Sequence, residues 1–130
     1  MNILIIDNFG AFTYNIADEF EKKECQTIFF RNDADIKTID AIIKKFKPNL
    51  IVIGPGSGNP KNTGISVEMI QAYQGRIPIL GIGLGHECII EAFGGSVGRS
   101  PVVAHGKAAK ITHDGKTIFR KIESPFIAGR

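Results

Sequence analysis

Hydrophobic residues along the chain alternate between short continuous runs and longer segments with helical spacing. The continuous runs are typical of strands buried on both faces of a parallel sheet, and they cover residues 2–7, 25–30, 50–53 and 78–82. The segments between them repeat hydrophobic residues every three or four positions, as amphipathic helices do, and they cover residues 12–23, 35–46, 65–73 and 84–93. Asp35 or Thr38 could cap the second of these helices. This alternation predicts βαβ units, and therefore an open, mostly parallel α/β sheet with helices on both faces.

The pattern changes after Gly94-Gly95. Residues 102–112 and 116–122 resemble two strands, and the sequence His113-Asp114-Gly115 between them is typical of a hairpin turn. We therefore expect an antiparallel hairpin appended to the parallel sheet. No repeat or linker interrupts the chain, so we expect a single domain over residues 1–130.

Composition and charge narrow the classes of function. No hydrophobic run approaches the roughly 20 residues of a membrane helix, and the N-terminal residues MNILIID do not resemble a signal peptide. We therefore expect a cytoplasmic protein without a membrane partner. The net charge is +3, but the lysines are scattered rather than clustered, which argues against a nucleic-acid partner. Cys25 and Cys88 lack metal-like spacing, so we expect two reduced core residues and no metal or cofactor.

Ligands of open α/β sheets bind beyond the carboxyl ends of the strands. Three predicted loops lie there: residues 7–12, residues 54–64 and the turn around Gly83. The middle loop, GPGSGNPKNTG, offers a bare backbone that a ligand can approach closely. A single loop of this kind is more often an ordinary surface turn, but two on neighbouring strands favour a binding site. No GxxxxGK[ST] string supports a phosphate loop.

The turn Gly81-Ile82-Gly83-Leu84-Gly85 has the strand-turn-helix character of a nucleophile elbow. Backbone N–H groups of Gly56 or Ser57 and of Leu84 could face each other there and stabilise an oxyanion. The apex residue is Gly83, which has no side chain and adopts positive φ without strain. Cys88 lies in an apolar string one turn later, so we expect it to pack on the sheet rather than to replace a nucleophile.

Five motifs together resemble one family in their order and spacing: IIDN, IGPGSGNP, PILGIGLGHE, FGG and AHGK. The chain resembles the class I glutamine amidotransferases, in particular the small glutaminase subunit of anthranilate synthase and aminodeoxychorismate synthase. The resemblance implies a flavodoxin-like sheet and no cofactor. It implies glutamine as substrate, whose ammonia a chorismate-using synthase subunit would consume in tryptophan or folate biosynthesis.

The resemblance also implies roles for individual residues. Gly56, Ser57 and Gly58 would form the oxyanion and glutamine-binding loop. Leu84 would donate the second oxyanion N–H group, and Glu87 takes the place of a glutamine that contacts the substrate. The turn His105-Gly106-Lys107 matches a motif on the side that meets the synthase subunit.

Several residues depart from the family pattern. The family has its catalytic cysteine at the position of Gly83, and an acid and a serine where Gly10 and Ala11 stand. Its activating His-x-Glu pair is expected beyond residue 130. None of the three histidines in the chain has a glutamate two residues later; we expect His86 to be structural and His113 to be solvated in its turn.

These departures predict an amidotransferase scaffold without turnover, either a truncated or engineered form or a natural degenerate copy. One alternative is a non-catalytic module that binds a chorismate-using synthase through residues 105–107. Another is a flavodoxin-like binder of small molecules unrelated to glutamine. An uncovered part of the sheet would favour self-association or marginal stability.

Overall fold

The computed structural model describes every residue from Met1 to Arg130. The chain divides into two compact units, Met1–Val97 and Gly98–Arg130. The first unit contains β1 Asn2–Asn8, α1 Thr13–Glu21, β2 Gln26–Arg31, α2 Ile36–Phe46, β3 Leu50–Gly56, α3 Ser66–Tyr73, β4 Ile79–Gly81 and α4 Leu84–Ala92. The second contains β5 Ala108–Ile111 and β6 Phe126–Gly129. The prediction of a single domain stays a prediction.

The first unit is built on a parallel sheet with strand order β2-β1-β3-β4. Every neighbouring pair in this sheet runs parallel, which confirms the predicted βαβ organisation. The chain leaves β1 towards β2 on one side and later returns to β3 on the other. The strand order therefore reverses between β1 and β3, where ligands of such sheets bind.

The two central strands are hydrophobic throughout because helices cover both faces of the sheet. One face carries α2, α3 and α4, whose side chains form a core with Leu4, Ile6, Ile51 and Ile53. On the opposite face, α1 packs on Ile3, Ile5 and Val52 through Ala17 and its neighbours. The predicted helices on both faces are confirmed, three on one side and one on the other.

Local signals fix the ends of α2. Asp35 is the residue before the first turn, and its backbone carbonyl accepts the N–H groups of Thr38 and Ile39. Of the two predicted caps, Asp35 thus holds the position, although its side chain makes no capping hydrogen bond to the backbone. Lys47 ends the helix in a left-handed conformation, and Pro48 follows. No helix of the protein is long and hydrophobic enough to span a bilayer.

The second unit contains the expected antiparallel pair, with different boundaries. β5 pairs with β6 in a two-stranded sheet of its own, with Ala108 opposite Gly129 and Ile111 opposite Phe126. The prediction of a strand over residues 116–122 was wrong, because residues 117–119 form a 3₁₀ turn.

His113 explains why strand pairing begins later than predicted. Its ring stacks on Phe119 with centroids 4.8 Å apart, and its backbone N–H donates to the Ser124 hydroxyl at 3.2 Å. These contacts fold residues 113–124 into a loop before β6 begins. The expectation that His113 is simply solvated was wrong, since the side chain is half-buried and organises this loop.

Candidate functional site

The turn between β4 and α4 has the backbone conformation expected of an elbow. Gly83 has φ 58° and ψ −119°, and its carbonyl accepts the N–H groups of His86 and Glu87 in the first turn of α4. The N–H of Leu84 pairs with no group in the structure, as is usual for the first residue of a helix. The elbow thus presents a free backbone donor beside its apex.

The glycines that flank the apex are required by space. A Cβ atom at Gly85 would overlap the carbonyl of Ile53 at the end of β3. A Cβ atom at Gly81 would lie 2.5–2.7 Å from backbone atoms of Gly85 and His86. These contacts show that α4 begins in close contact with the carboxyl end of the sheet, so that both flanks must lack a side chain.

The apex is different, because it has room for a side chain. A Cβ atom built at Gly83 has the Pro55 Cβ as its nearest neighbour, at 3.3 Å. That contact is tight and does not block the position. Only the positive φ favours glycine at the apex, at a cost of about 1–3 kcal/mol for other residues.

The three predicted loops converge at Pro55. A groove of about 360 Å³ is lined by residues of the first and middle loops: Phe9, Gly10, Ala11, Phe12, Pro55, Gly56 and Ser57. Pro55 also lies against the apex at Gly83. The structure therefore places residues 9–12, residues 55–57 and the elbow around one point at the switch in strand order.

Gly10 and Ala11, which depart from the resembled family, lie in this groove. The Gly10 N–H donates to the Asp7 carboxylate at 3.1 Å, and the Thr13 hydroxyl donates to the same oxygen at 2.7 Å. A Cβ atom at Gly10 would overlap the Pro55 carbonyl. The first loop is thus packed so closely on the middle loop that position 10 excludes an acidic side chain in this conformation.

The predicted donors of the middle loop differ in their surroundings. Gly56 is held in the sheet, opposite Asn8 in the ladder and bridged to Phe9. Ser57 is exposed at the groove. Gly58 has φ 113° and no atom within 4 Å of a built Cβ, and it does not line the groove. The structure therefore brings Gly56 and Ser57 to the site but leaves Gly58 at its edge.

Comparison with known proteins adds the decisive observation. A family model described as glutamine amidotransferase class-I matches residues 4–130. The chain belongs to this family. Membership removes the basis for a binder unrelated to glutamine.

Curated relatives cover nearly the whole chain. Anthranilate synthase component 2 of Buchnera aphidicola subsp. Schizaphis graminum is 41% identical over 129 residues, which are 99% of this chain and 66% of the relative. Aminodeoxychorismate synthase component 2 of Escherichia coli is 43% identical over 129 residues, 98% of this chain and 67% of the relative. The chain thus spans about two thirds of the length of these relatives.

A solved structure supports the fold. The crystal structure of a GMP synthase glutaminase-type protein from Thermoplasma acidophilum superposes with a TM-score of 0.77. The match covers 99% of this chain and 63% of that chain, at 23% sequence identity. At this identity the likeness shows the fold alone, and it confirms the predicted open α/β architecture.

Within this amidotransferase fold, Glu87 lies in the first turn of α4 and is half-buried. Its backbone N–H donates to Gly83, while its carboxylate makes no hydrogen bond or salt bridge. A carboxylate near a helix N-terminus is stabilised by the helix dipole. Its place next to the elbow agrees with the predicted substrate contact, which stays a prediction.

Neither cysteine lies where the nucleophile would be. Cys88 is fully buried in the core of α4, as predicted, and burial raises the pKa of its thiol. Its Sγ lies 3.4 Å from the Thr63 hydroxyl oxygen, to which it donates. Cys25 is only half-buried, so the expectation of a core position was wrong for it. His86 is exposed on α4 rather than built into the core.

The turn His105-Gly106-Lys107 belongs to the second unit and is exposed. The Gly106 N–H donates to the Arg130 carbonyl, and the Lys107 carbonyl accepts the Arg130 N–H at 2.9 Å. Beside this turn lies a cleft of about 720 Å³ lined by Arg99, Ser100, Val102, Val103, Ala104, His105 and Arg130. A basic and hydrophobic surface therefore surrounds the predicted partner motif. Nowhere in the protein do three His, Cys, Asp or Glu side chains group to hold a metal ion.

Proposed function

We propose that this chain is a glutamine amidotransferase domain of the kind that serves chorismate amination, and that it binds glutamine without hydrolysing it. The single observation that carries the proposal is Gly83 at φ 58° on the apex of an otherwise intact elbow. The curated relatives are components of anthranilate and aminodeoxychorismate synthases, which supports the chorismate branch.

The geometry suits recognition of a carboxamide. The free Leu84 N–H and the groove formed by Gly56 and Ser57 flank the apex, where a substrate carbonyl would accept hydrogen bonds. In the family reaction a thiolate adds to the amide carbon, and the C–N bond then breaks as ammonia leaves with a proton. Gly83 offers no sulfur to form the first bond, so the reaction cannot begin there.

Calorimetry with L-glutamine, combined with an ammonia assay, tests this proposal. We expect a heat of binding for L-glutamine, none for D-glutamine, and no ammonia above the uncatalysed rate. Release of ammonia by the purified chain, abolished by heat denaturation, would overturn the proposed inactivity. Absence of any glutamine heat would remove the binding half of the proposal.

A second candidate is a non-catalytic module that binds a chorismate-using synthase. The specific observation is the surface of residues 98–130, which carry seven Lys or Arg residues and only two acidic ones. Val102 and Val103 are exposed beside His105, and Val103 exposes 86% of its surface. A Lys107→Glu variant should bind the synthase more weakly than Lys110→Glu, the control on β5. Equal loss in both variants would argue against the 105–107 turn as the contact.

Two broader expectations belong to the same proposal. A cytoplasmic location follows from the role of the relatives in biosynthesis of small molecules. Self-association through the sheet edge would use a hydrophobic hollow beside β4, lined by Ile77, Ile79, Ile89 and Phe93 among others. Light scattering that gives a monomer over a wide range of concentration would contradict the second expectation.

A further inference from the structure

A buried polar side chain lies directly behind the groove. Asn8, at the end of β1, exposes only 3% of its surface. Its Nδ2 donates to the Gly54 carbonyl at 2.8 Å. Its Oδ1 accepts from Asn32 Nδ2 at 2.8 Å and from the Ser66 hydroxyl at 2.6 Å. The side chain therefore links the ends of three strands to the start of α3.

The Gly54 carbonyl needs this donor because the strands are out of register there. Ile6 lies opposite Ile53, but the next pair along is Asn8 opposite Gly56. One residue of β1 thus faces two residues of β3, Gly54 and Pro55, which is a β-bulge. A bulge leaves a backbone group unpaired in the ladder, and a buried unpaired carbonyl costs about 1–3 kcal/mol. The Asn8 amide supplies the missing partner.

The orientation of the Asn8 amide is determined by its neighbours. Two donors, Asn32 Nδ2 and the Ser66 hydroxyl, require an oxygen, and the Gly54 carbonyl requires an N–H. Exchanging the oxygen and nitrogen would place two oxygens together and waste both donors. The network is therefore fully satisfied in one arrangement only, which makes it suited to hold the bulge in one conformation.

The bulge determines where the middle loop meets the elbow. Pro55, its second residue, contacts both the apex at Gly83 and the first loop at Gly10. Gly56 and Ser57 follow immediately and line the groove. A shift of the Gly54 carbonyl would move Pro55 away from the apex and change the direction of the donors that follow it.

We propose that Asn8 is a positioning residue, whose amide fixes the Gly54–Pro55 bulge and so aims the Gly56 and Ser57 N–H groups at a ligand carbonyl over position 83. The part that concerns the ligand rests on the proposed function. The part that concerns the loop does not, and the two can be tested separately.

The loop is tested first by amide NMR and hydrogen exchange. In Asn8→Ala we expect displaced Gly56 and Ser57 signals, and exchange at Gly56 about tenfold faster relative to Ile5, as for the loss of one buried hydrogen bond. The control Ser66→Ala also breaks a hydrogen bond to Asn8 but leaves the bond to Gly54. It should leave the loop signals in place. Equal changes in both variants, or in neither, would overturn the inference.

Should Asn8→Ala not fold, Asn8→Ser keeps a small polar group in the cavity but is too short to reach Gly54, and the same comparison applies. The ligand part is tested in Gly83→Cys protein, by the labelling rate with a glutamine-like chloroketone divided by the rate with iodoacetamide. Asn8→Ala should lower this ratio about tenfold, and Ser66→Ala should not. An unchanged ratio overturns the aiming role. A Gly83→Cys parent with no preference for the chloroketone, but with displaced loop signals in Asn8→Ala, would instead refute the proposed function.

Discussion

The units Met1–Val97 and Gly98–Arg130 differ most in what they bury. All the buried hydrophobic side chains of the protein lie in the first unit, and so do all the buried polar ones. The second unit has no buried residue, and it exposes Val102, Val103, Ile118, Ile122 and Ile127.

This difference separates two kinds of constraint. In the first unit, strands, helices and loops are fixed by close packing, so that even a methyl group is excluded at Gly85. In the second unit few side chains are held by packing, so its exposed hydrophobic and basic residues are better explained by interaction than by folding. Substitutions should therefore act through stability in the first unit and through binding in the second.

The largest expected effect is at Gly85. A Cβ atom there overlaps the Ile53 carbonyl, so Gly85→Ala should lower the free energy of unfolding by about 3 kcal/mol or more. Gly98→Ala in the second unit is the matched control, because nothing lies within 4 Å of its Cβ, and we expect a change within about 0.5 kcal/mol. Urea unfolding followed by circular dichroism measures both. A similar small effect at the two positions would break the comparison.

The two cysteines sharpen the comparison within the first unit. Ellman's reagent should react quickly with one thiol, Cys25, and at least about 100-fold more slowly with Cys88, because burial protects its thiol and raises its pKa. Cys25→Ser should remove the fast phase, and urea should expose the slow one. Two thiols that react at the same rate in the folded protein would show that α4 is loosely packed.

The smallest expected effect is alkaline. Burial, followed by the hydrogen bond from Tyr73 to Asp40, raises the pKa of Tyr73 to about 12 from 10.0. The unfolded chain loses this proton first, so the stabilising contribution is complete below about pH 10 and is lost as the pH rises towards 12. The stability difference between the parent and Tyr73→Phe should therefore shrink between about pH 9 and pH 11. Tyr14→Phe, on an exposed ring, is the control; a difference at Tyr73 that is constant with pH would contradict the assignment.

Periodicity was sufficient to predict the first unit. Continuous hydrophobic runs at residues 2–7 and 50–53 can be satisfied only by strands covered on both faces, and the structure has them at the centre of the sheet. The glycine pattern at residues 81–85 likewise predicted the elbow, because few other turns need bare flanks around a positive φ. Both signals are local in sequence and leave few alternatives.

Other features depend on contacts that sequence patterns do not carry. The second strand of the antiparallel pair was misplaced because His113 stacks on Phe119 and delays pairing. The role of Asn8 was missed because an asparagine after a strand resembles any turn residue. The register shift at residues 54–56, which gives its amide a function, is visible only in the pairing. One signal was available: a polar residue that ends a buried strand beside a glycine-rich loop.

The most direct test of the central claim is covalent labelling of Gly83→Cys by a glutamine-like chloroketone at about pH 8.5, located by mass spectrometry. Gly94→Cys is the matched control, because Gly94 also has positive φ, 78°, but open space around it. Relative to iodoacetamide, we predict that position 83 reacts at least about 100-fold faster than position 94, as expected of a thiol held beside oriented donors. Equal preference at the two positions would contradict the claim that the elbow is intact and lacks only its nucleophile.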